Sequence, residues 1–177
     1  MKKTKYTQGD LCGTCGPYVV VNAISNLFPQ ITYLQSQELY YNALTSLHDV
    51  PSCIVFGTLR YDMRKMLKEA KEFVKDEFDK DLIIHTPYRK EKPKDVKQFF
   101  ETCKSLGSKR TSTIIGVSQP ADHWTMIHAI YPTRVKITCS GIFHEKNEMS
   151  YNSFDVVKNN KNKITIDPSS TYVLTYK

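Results

Sequence analysis

The sequence predicts an α+β fold in which helices come first along the chain and antiparallel strands follow. Apolar residues recur at helical spacing up to about residue 78. After residue 108, short apolar runs alternate with turn-forming residues, which is typical of strands and hairpins. A chain of 177 residues is long enough for one compact domain and too short for two sizeable cores. We therefore predict a single domain over 1–177, with a helical half at about 1–107 and a sheet half at about 108–177.

The helices of the first half follow from the spacing of apolar residues. The first is predicted from near Cys15 to about Phe28, and Pro17 suits its first turn, where a backbone N–H is not needed. The amphipathic stretch at 33–47 predicts the second helix. A long apolar stripe bordered by charged residues predicts the third over 58–78.

The second half of the chain changes to the shorter period of strands and turns. One helix is still expected, over 92–107, with Gly107 as its C-cap. The predicted strands, in chain order, are 82–86, 112–118, 123–131, 134–140 and 171–176. A turn at 132–133 joins two of these strands into a hairpin, and a turn at 167–169 precedes the last strand.

Composition and charge narrow the class of protein. No run approaches the ~18 apolar residues that cross a bilayer, and the opening MKKTKYTQGD lacks the apolar segment of a secretory signal. These features predict a soluble cytoplasmic protein with no membrane partner. The net charge of +7 comes from basic runs interleaved with acidic residues or asparagines, as on a solvated helix face, so no nucleic-acid partner is expected.

The five cysteines are an odd number in a chain too large to need disulfide staples, which favours reduced thiols. Cys12 and Cys15 form a C-x-x-C pair, which is the spacing of a zinc half-site or of a redox dithiol. A zinc site needs two further ligands, and His123 and His128 should face opposite sides of a strand. A thioredoxin-like dithiol would follow a strand, whereas a charged segment precedes this pair. We therefore predict neither a metal nor another cofactor.

The segment QGDLCGTCGPYVVVNAI, residues 8–24, carries the main functional signal. Cys15 stands at the first turn of the predicted helix, where the helix dipole should lower the pKa of the thiol toward neutrality. The surrounding glycines would let a substrate backbone approach, and backbone N–H groups there can donate to an oxyanion. The side-chain amide of Gln8 would supply a second donor. Taken alone, Cys15 is more simply a buried free cysteine, and its combination with Gln8 and a histidine favours catalysis.

A thiol nucleophile benefits from a base, and His123 is the histidine best placed to be one. It opens a predicted strand directly after the loop SQPAD and precedes Trp124. A side chain at the first residue of a strand can face a cleft without being packed into the sheet. The other histidines are less suitable, since His128 should face the opposite side, and His48, His85 and His144 lie in stretches where no other polar groups converge.

These residues resemble the papain-like cysteine peptidases. The segment from Gln8 to Cys15 is similar to their glutamine, glycine-rich turn and nucleophilic cysteine. Cys15, with the Gly-Pro and apolar helix behind it and His123 and Trp124 far downstream, is most like the bacteriocin-processing, leader-cleaving peptidases and their stand-alone relatives. The resemblance covers about 20 residues at each place, and it implies a nucleophile at the start of the central helix facing an antiparallel sheet. In such enzymes the earlier cysteine, here Cys12, is structural.

The third member of the expected triad is missing. The resemblance implies an aspartate or asparagine that orients the histidine from the strand after the hairpin, and 137–141 holds neither. Three alternatives remain open: Ser140 or Cys139 takes this position, Asp167 approaches from the later turn, or the site is a cysteine–histidine dyad. Along this chain the candidate residues come in the order glutamine, cysteine, histidine. Peptidases that act on ubiquitin-like modifiers have the order histidine, aspartate, glutamine, cysteine, so that pattern is excluded.

The sequence therefore predicts a cysteine peptidase that hydrolyses a peptide or isopeptide bond in a protein or peptide substrate. Cys15 is the expected nucleophile, His123 the base and Gln8 an oxyanion donor. The same thioester can pass to an amine, so an acyltransferase or deamidase is the nearest alternative, and a catalytically inactive binding module of the same fold is another. A leader peptide ending in small residues, a ubiquitin-like tail and a host protein all remain open as substrates.

Overall fold

Helices precede most of the strands along the chain, which confirms the predicted α+β class. The computed structural model describes residues 13–107, 110–119, 121–139, 148–157 and 162–177. Within them the helices are α1 (Cys15–Leu27), α2 (Tyr33–Thr45), α3 (Val50–Phe56), α4 (Arg60–Phe78) and α5 (Val96–Ser105). The strands are β1 (Leu82–His85), β2 (Ser112–Gln119), β3 (His123–Ile130), β4 (Arg134–Thr138), β5 (Glu148–Ser150), β6 (Phe154–Asp155) and β7 (Ile164–Tyr176).

The strands form one sheet in the order β1-β7-β2-β3-β4-β5, in which all neighbours are antiparallel. The short strand β6 pairs with β7 in parallel. The predicted hairpin of β3 and β4 is present, and the N–H of Tyr131 donates to the carbonyl of Arg134 at 2.9 Å across its turn. The strand predicted at 82–86 is present as β1, and although it precedes the predicted sheet half it belongs to the sheet because it pairs with the last strand.

Helices cover both faces of the sheet. The core on one face joins α1, α2 and α4 to strand residues such as Ile114. The core on the other face joins α5, through the fully buried Phe99 and Phe100, to strand residues such as Ile115. Consecutive residues of β2 fall into different cores because side chains alternate along a strand. The sheet is therefore buried on both sides and forms a rigid base for residues at its ends.

The helix α3 and the short strands β5 and β6 are absent from the sequence prediction. In α3 the apolar residues Val55 and Phe56 are exposed, at 69% and 85%, so the helix lacks an amphipathic pattern. Its start is nevertheless marked locally, because the carboxylate of Asp49 accepts a hydrogen bond from the N–H of Ser52 at 3.0 Å and Pro51 stands in the first turn.

The helix α5 is shorter than the predicted 92–107. It begins after Asp95, whose carboxylate accepts from the N–H of Gln98 at 2.7 Å. Its C-cap is Leu106, so the expected role of Gly107 as the C-cap is wrong. Lys92, Pro93 and Lys94 lie outside the helix because the N-cap bond fixes where the helical turns begin.

The strand β7 begins at Ile164, well before the predicted 171, and the turn predicted at 167–169 is wrong. Consecutive residues of β2 pair with Thr171 and with Asp167, so the residues between them bulge out of the strand. Pro168 within this bulge has no N–H to donate to the ladder, which explains why the pairing breaks there. The sequence signals of a turn and of a bulge are alike at this point, and the strand continues on both sides.

Candidate active site

The helix α1 presents Cys15 at its first residue, as predicted. The body of this helix is fixed by Val20, Ala23 and Ile24, which are fully buried in the core between the sheet and the other helices. Cys15 itself is only 6% exposed. The backbone N–H groups of Cys15 and Gly16 face its sulfur, which is the arrangement that an open helix N-terminus provides.

Glycines beside Cys15 pack against the chain itself. A Cβ at Gly13 would lie 2.6 Å from the backbone nitrogen of Gly57, and one at Gly16 would lie 2.6 Å from side-chain atoms of Thr58. The expectation that these glycines make room for a substrate backbone is therefore wrong at Gly13 and Gly16. The glycines let the start of α1 approach the end of α3 and the segment that leads into α4.

The strand β3 begins with His123, as predicted, and its neighbour Trp124 anchors it. The indole N–H of Trp124 donates to the carbonyl of Thr58 at 2.7 Å, and the side chain is 6% exposed. The backbone N–H of Trp124 faces the sulfur of Cys15. These contacts tie the start of β3 both to the start of α1 and to the segment between α3 and α4.

A cleft of about 290 Å³ opens where these elements meet, and both Cys15 and His123 line it. Its other lining residues are Phe56, Gly57, Thr58, Leu59, Arg60, Gly116, Val117, Ser118, Asp122, Trp124, Asp167 and Ser170. A larger cavity of about 570 Å³ lies beside the start of α5, and its described lining residues include neither cysteine nor histidine. A third cavity, of about 180 Å³, is lined by Cys103 and His128, but Cys103 is fully buried and burial raises the pKa of its thiol to about 12. The 290 Å³ cleft is therefore the better candidate among these three for a nucleophile and a base.

The pKa of the Cys15 thiol is raised above its ordinary value of 9.0, so the predicted lowering is wrong. Burial is the largest cause, because it removes the hydration of a thiolate. The backbone N–H groups of Trp124 and Gly16 act in the opposite direction, and Cys139 adds a smaller increase by charge repulsion. The thiol is therefore protonated at neutral pH in the resting site.

Burial also lowers the pKa of His123 from 6.5 to about 4. An imidazolium in this position would lose hydration, so the neutral ring is favoured. Cys15 and His123 are therefore a neutral thiol and a neutral imidazole at pH 7, and no ion pair is formed before a substrate arrives.

Cys139 contacts His123, with its sulfur 3.1 Å from Nε2 of the ring. It follows β4 and is 7% exposed in the core that α5 covers. The described lining of the cleft includes Cys15 and His123 but not Cys139. Of the alternatives left open for orienting His123, Cys139 is one that the structure brings to the ring.

Asp167, another of those alternatives, lines the cleft with its carboxylate engaged by other groups. It accepts hydrogen bonds from the hydroxyls of Ser169 and Ser170, both at 2.6 Å, and lies 3.0 Å from Nη2 of Arg60. Nε of Arg60 also donates to the hydroxyl of Ser170 at 3.1 Å. These bonds hold the bulge of β7 against the start of α4. Ser140, the remaining alternative, lies outside the described residues.

Two predicted residues of the opening segment, Gln8 and Cys12, also lie outside the described residues. The other four cysteines, all in the described ranges, form no disulfide bond with one another. His128 contacts the hydroxyl of Thr138 through Nδ1 at 3.1 Å and lines a different cavity. In the described ranges no cluster of three or more histidine, cysteine or acidic residues is arranged to hold a metal ion. No helix in the described part of the chain is long and apolar enough to cross a membrane.

One wall of the cleft is formed by the end of α3 and the start of α4, and the sequence did not predict it. Phe56 and Leu59 line this wall and are 85% and 70% exposed. Gly57 between them has a φ of 89°, a left-handed conformation that glycine adopts without strain. The cap signals at Asp49 and Gly57 could have located α3 and therefore this wall.

Comparisons of the chain with protein-family models, with curated proteins and with solved structures found no significant match. The placement of Cys15 and His123 in the lining of one cleft is therefore the basis for the function proposed below.

Proposed function

We propose that this chain is a papain-like cysteine peptidase whose active site is the cleft between α1 and β3. The observation that carries the proposal is the placement of Cys15, first residue of a buried helix, and His123, first residue of a strand, in the lining of one cleft. A thiol and an imidazole at the ends of two rigid elements are the groups that acyl transfer requires. The resemblance of the sequence around both residues to papain-like enzymes supports the same function.

In the proposed reaction, the sulfur of Cys15 attacks the carbonyl carbon of a peptide bond while His123 accepts the thiol proton. The carbonyl oxygen becomes an oxyanion that accepts hydrogen bonds from N–H groups at the start of α1, with the amide of Gln8 as a further donor. His123 then gives its proton to the leaving amine as the C–N bond breaks, which leaves a thioester on Cys15. A water molecule, deprotonated by His123, attacks the thioester and releases the carboxylic acid, and the proton returns to the sulfur.

The resting protonation states decide when the proton moves. The pKa of Cys15 is raised by burial and that of His123 is lowered by burial, so a thiolate is costly before substrate binds. The proton therefore transfers as the carbon–sulfur bond forms. Simple alkylating reagents, which require a thiolate in advance, should react slowly with Cys15 at neutral pH.

The apolar wall of the cleft indicates the kind of substrate. Phe56 and Leu59 expose apolar side chains to solvent along this wall. Covering such side chains removes apolar surface from water, which favours a bulky apolar side chain near the bond that is cleaved. We therefore expect a peptide that carries such a side chain to bind better than one that carries glycine.

Hydrolysis can be separated from the two alternative functions by one experiment. A pool of synthetic peptides is incubated with the protein in water enriched in ¹⁸O, with glycinamide present as a competing amine. Mass spectrometry identifies the products, and Cys15→Ser serves as the matched control because it keeps the size of the side chain.

A peptidase produces new carboxyl termini that contain ¹⁸O and that are absent with Cys15→Ser. Products that contain glycinamide would instead identify an acyltransferase, and ¹⁸O in converted glutamine side chains would identify a deamidase. Identical product lists from the wild type and Cys15→Ser would overturn the catalytic proposal and leave the binding module.

A further inference from the structure

We propose that Cys139 is the positioning residue for His123, with its sulfur as the acceptor of the Nε2–H hydrogen bond. This inference rests on the proposed function, since it concerns how His123 is held as the base. The sulfur would occupy the place in which an aspartate or asparagine was expected.

The first support is the contact itself. The sulfur of Cys139 lies 3.1 Å from Nε2 of His123, within hydrogen-bond distance. The pairing of β3 with β4 places Met126 opposite Thr138, so the residue after Thr138 continues along β3 toward its first residue. The hairpin therefore delivers Cys139 to the ring by its register.

The second support is that Cys139 is a fixed point. It is 7% exposed and belongs to the core that also contains Phe100 and Cys103 of α5. A buried side chain in a packed core has few alternative positions. A ring that contacts this sulfur is therefore restrained in its rotation.

The third support is the chemistry of the two ring nitrogens. A neutral imidazole carries one hydrogen, and the nitrogen without it is the one that can accept a proton. When Nε2–H donates to Cys139, Nδ1 carries the lone pair and is the atom that takes the proton from Cys15. When the thiol of Cys139 instead donates to Nε2, Nδ1 carries the hydrogen and cannot act as the base. The direction of this one hydrogen bond therefore decides whether His123 is competent.

Asp167, another candidate for orienting His123, already has other hydrogen-bond and ion-pair partners. Asp167 accepts from Ser169 and Ser170 and pairs with Arg60, so its position is explained by the bulge of β7. Burial keeps the ring of His123 neutral, and a neutral ring carries the single hydrogen that the proposed bond to Cys139 uses.

The direction of the hydrogen bond can be read in the wild-type protein without a substrate. Histidine ring nitrogens labelled with ¹⁵N give different chemical shifts with and without a bound hydrogen, and His123→Ala identifies the signals that belong to this residue. At pH 7 we expect the hydrogen of His123 on Nε2. A hydrogen on Nδ1 would overturn the inference.

The second measurement is the rate at which N-acetyl-phenylalanine p-nitrophenyl ester acylates Cys15, followed by mass spectrometry from pH 5 to pH 9. We expect Cys139→Ala to slow this reaction about tenfold or more, and Cys139→Asn, whose amide oxygen can accept from Nε2–H, to restore most of the rate. Cys103→Ala removes a buried sulfur from the same core and is the matched control, expected to stay close to the wild type.

The possible failures are distinguishable. If the wild type is not acylated at Cys15, or if His123→Ala is as fast as the wild type, the proposed function fails and the inference falls with it. If His123→Ala is slow but Cys139→Ala matches the wild type, the function stands and the role of Cys139 is refuted. A faster Cys139→Ala would also refute it, since the sulfur would then hold His123 in an unproductive position. A slow Cys139→Ala that Cys139→Asn does not restore would indicate a packing role alone.

Discussion

Because His123 is buried, we predict that this one residue makes the free energy of unfolding fall in mild acid. In the folded protein the pKa of His123 is lowered from 6.5 to about 4, and burial is the cause. The unfolded chain therefore takes up a proton near pH 6.5, whereas the folded protein takes it up only near pH 4. Between these values acid favours the unfolded chain, so the free energy of unfolding falls as the pH decreases.

The size of this effect follows from the two pKa values. A lowering from 6.5 to about 4 corresponds to about 3 kcal/mol when it is complete, of which about 2 kcal/mol is lost between pH 7 and pH 5. Cys139 contacts the ring, and Cys15, Arg60, Asp122 and Asp167 line the same cleft as His123. Burial is the cause of the lowered pKa.

The assay is urea denaturation at pH 7 and pH 5 for the wild type and His123→Gln. The wild type should lose about 2 kcal/mol more than the variant between these two pH values. His48→Gln, which removes an exposed histidine, is the matched control and should keep the dependence of the wild type. Equal losses in the wild type and His123→Gln would refute the reasoning, because the acid sensitivity would then belong to another group.

Three further predictions concern the walls of the cleft. Gly16→Ala should lower the free energy of unfolding by about 1–3 kcal/mol, because its Cβ would lie 2.6 Å from side-chain atoms of Thr58. The double variant Gly16→Ala/Thr58→Gly should lose less stability than the sum of the losses of the two single variants, because removing the Thr58 side chain removes the clash. Additive losses in urea denaturation would contradict this. Trp124→Phe should cost about 2 kcal/mol because it removes the indole donor to the carbonyl of Thr58, and an unchanged denaturation midpoint would show that this bond adds nothing. The double variant Phe56→Ser/Leu59→Ser should have a free energy of unfolding within about 0.5 kcal/mol of the wild type, because both side chains are exposed. Its ratio of acylation rates, acetyl-phenylalanine to acetyl-glycine p-nitrophenyl ester, should fall about tenfold. Val55→Ser, equally exposed and outside the described cleft lining, should keep that preference, and a loss there would argue against a specific wall.

Elements with strong periodic patterns are predictable from the sequence, and elements without them are not. The helix α4 buries one apolar stripe, and α1 is apolar and buried on nearly all sides, so the residues of both helices reveal them. The helix α3 exposes Val55 and Phe56, and such a short helix has no stripe to detect. The bulge at Asp167 contains the same residue types as a turn, so only the pairing of β7 with β2 distinguishes them.

The candidate site likewise has features that the sequence predicts and features that only the folded chain reveals. Cys15 at the start of a helix and His123 at the start of a strand are local features, and the sequence locates both. The pKa of Cys15 depends on how deeply the thiol is buried, which the position in the helix does not reveal, and burial outweighs the expected effect of the helix terminus. The contact of Cys139 with His123 depends on the register of a hairpin, which is a property of the folded chain.

The measurement that tests the central claim most directly is the acylation of the wild type and His123→Ala by N-acetyl-phenylalanine p-nitrophenyl ester at pH 7. Mass spectrometry locates the acyl group among the cysteines. If Cys15 and His123 act as nucleophile and base, the acyl group is found on Cys15, and His123→Ala reduces the rate about 100-fold. Equal rates in the two proteins, or acylation of Cys53 in preference to Cys15, would contradict the account.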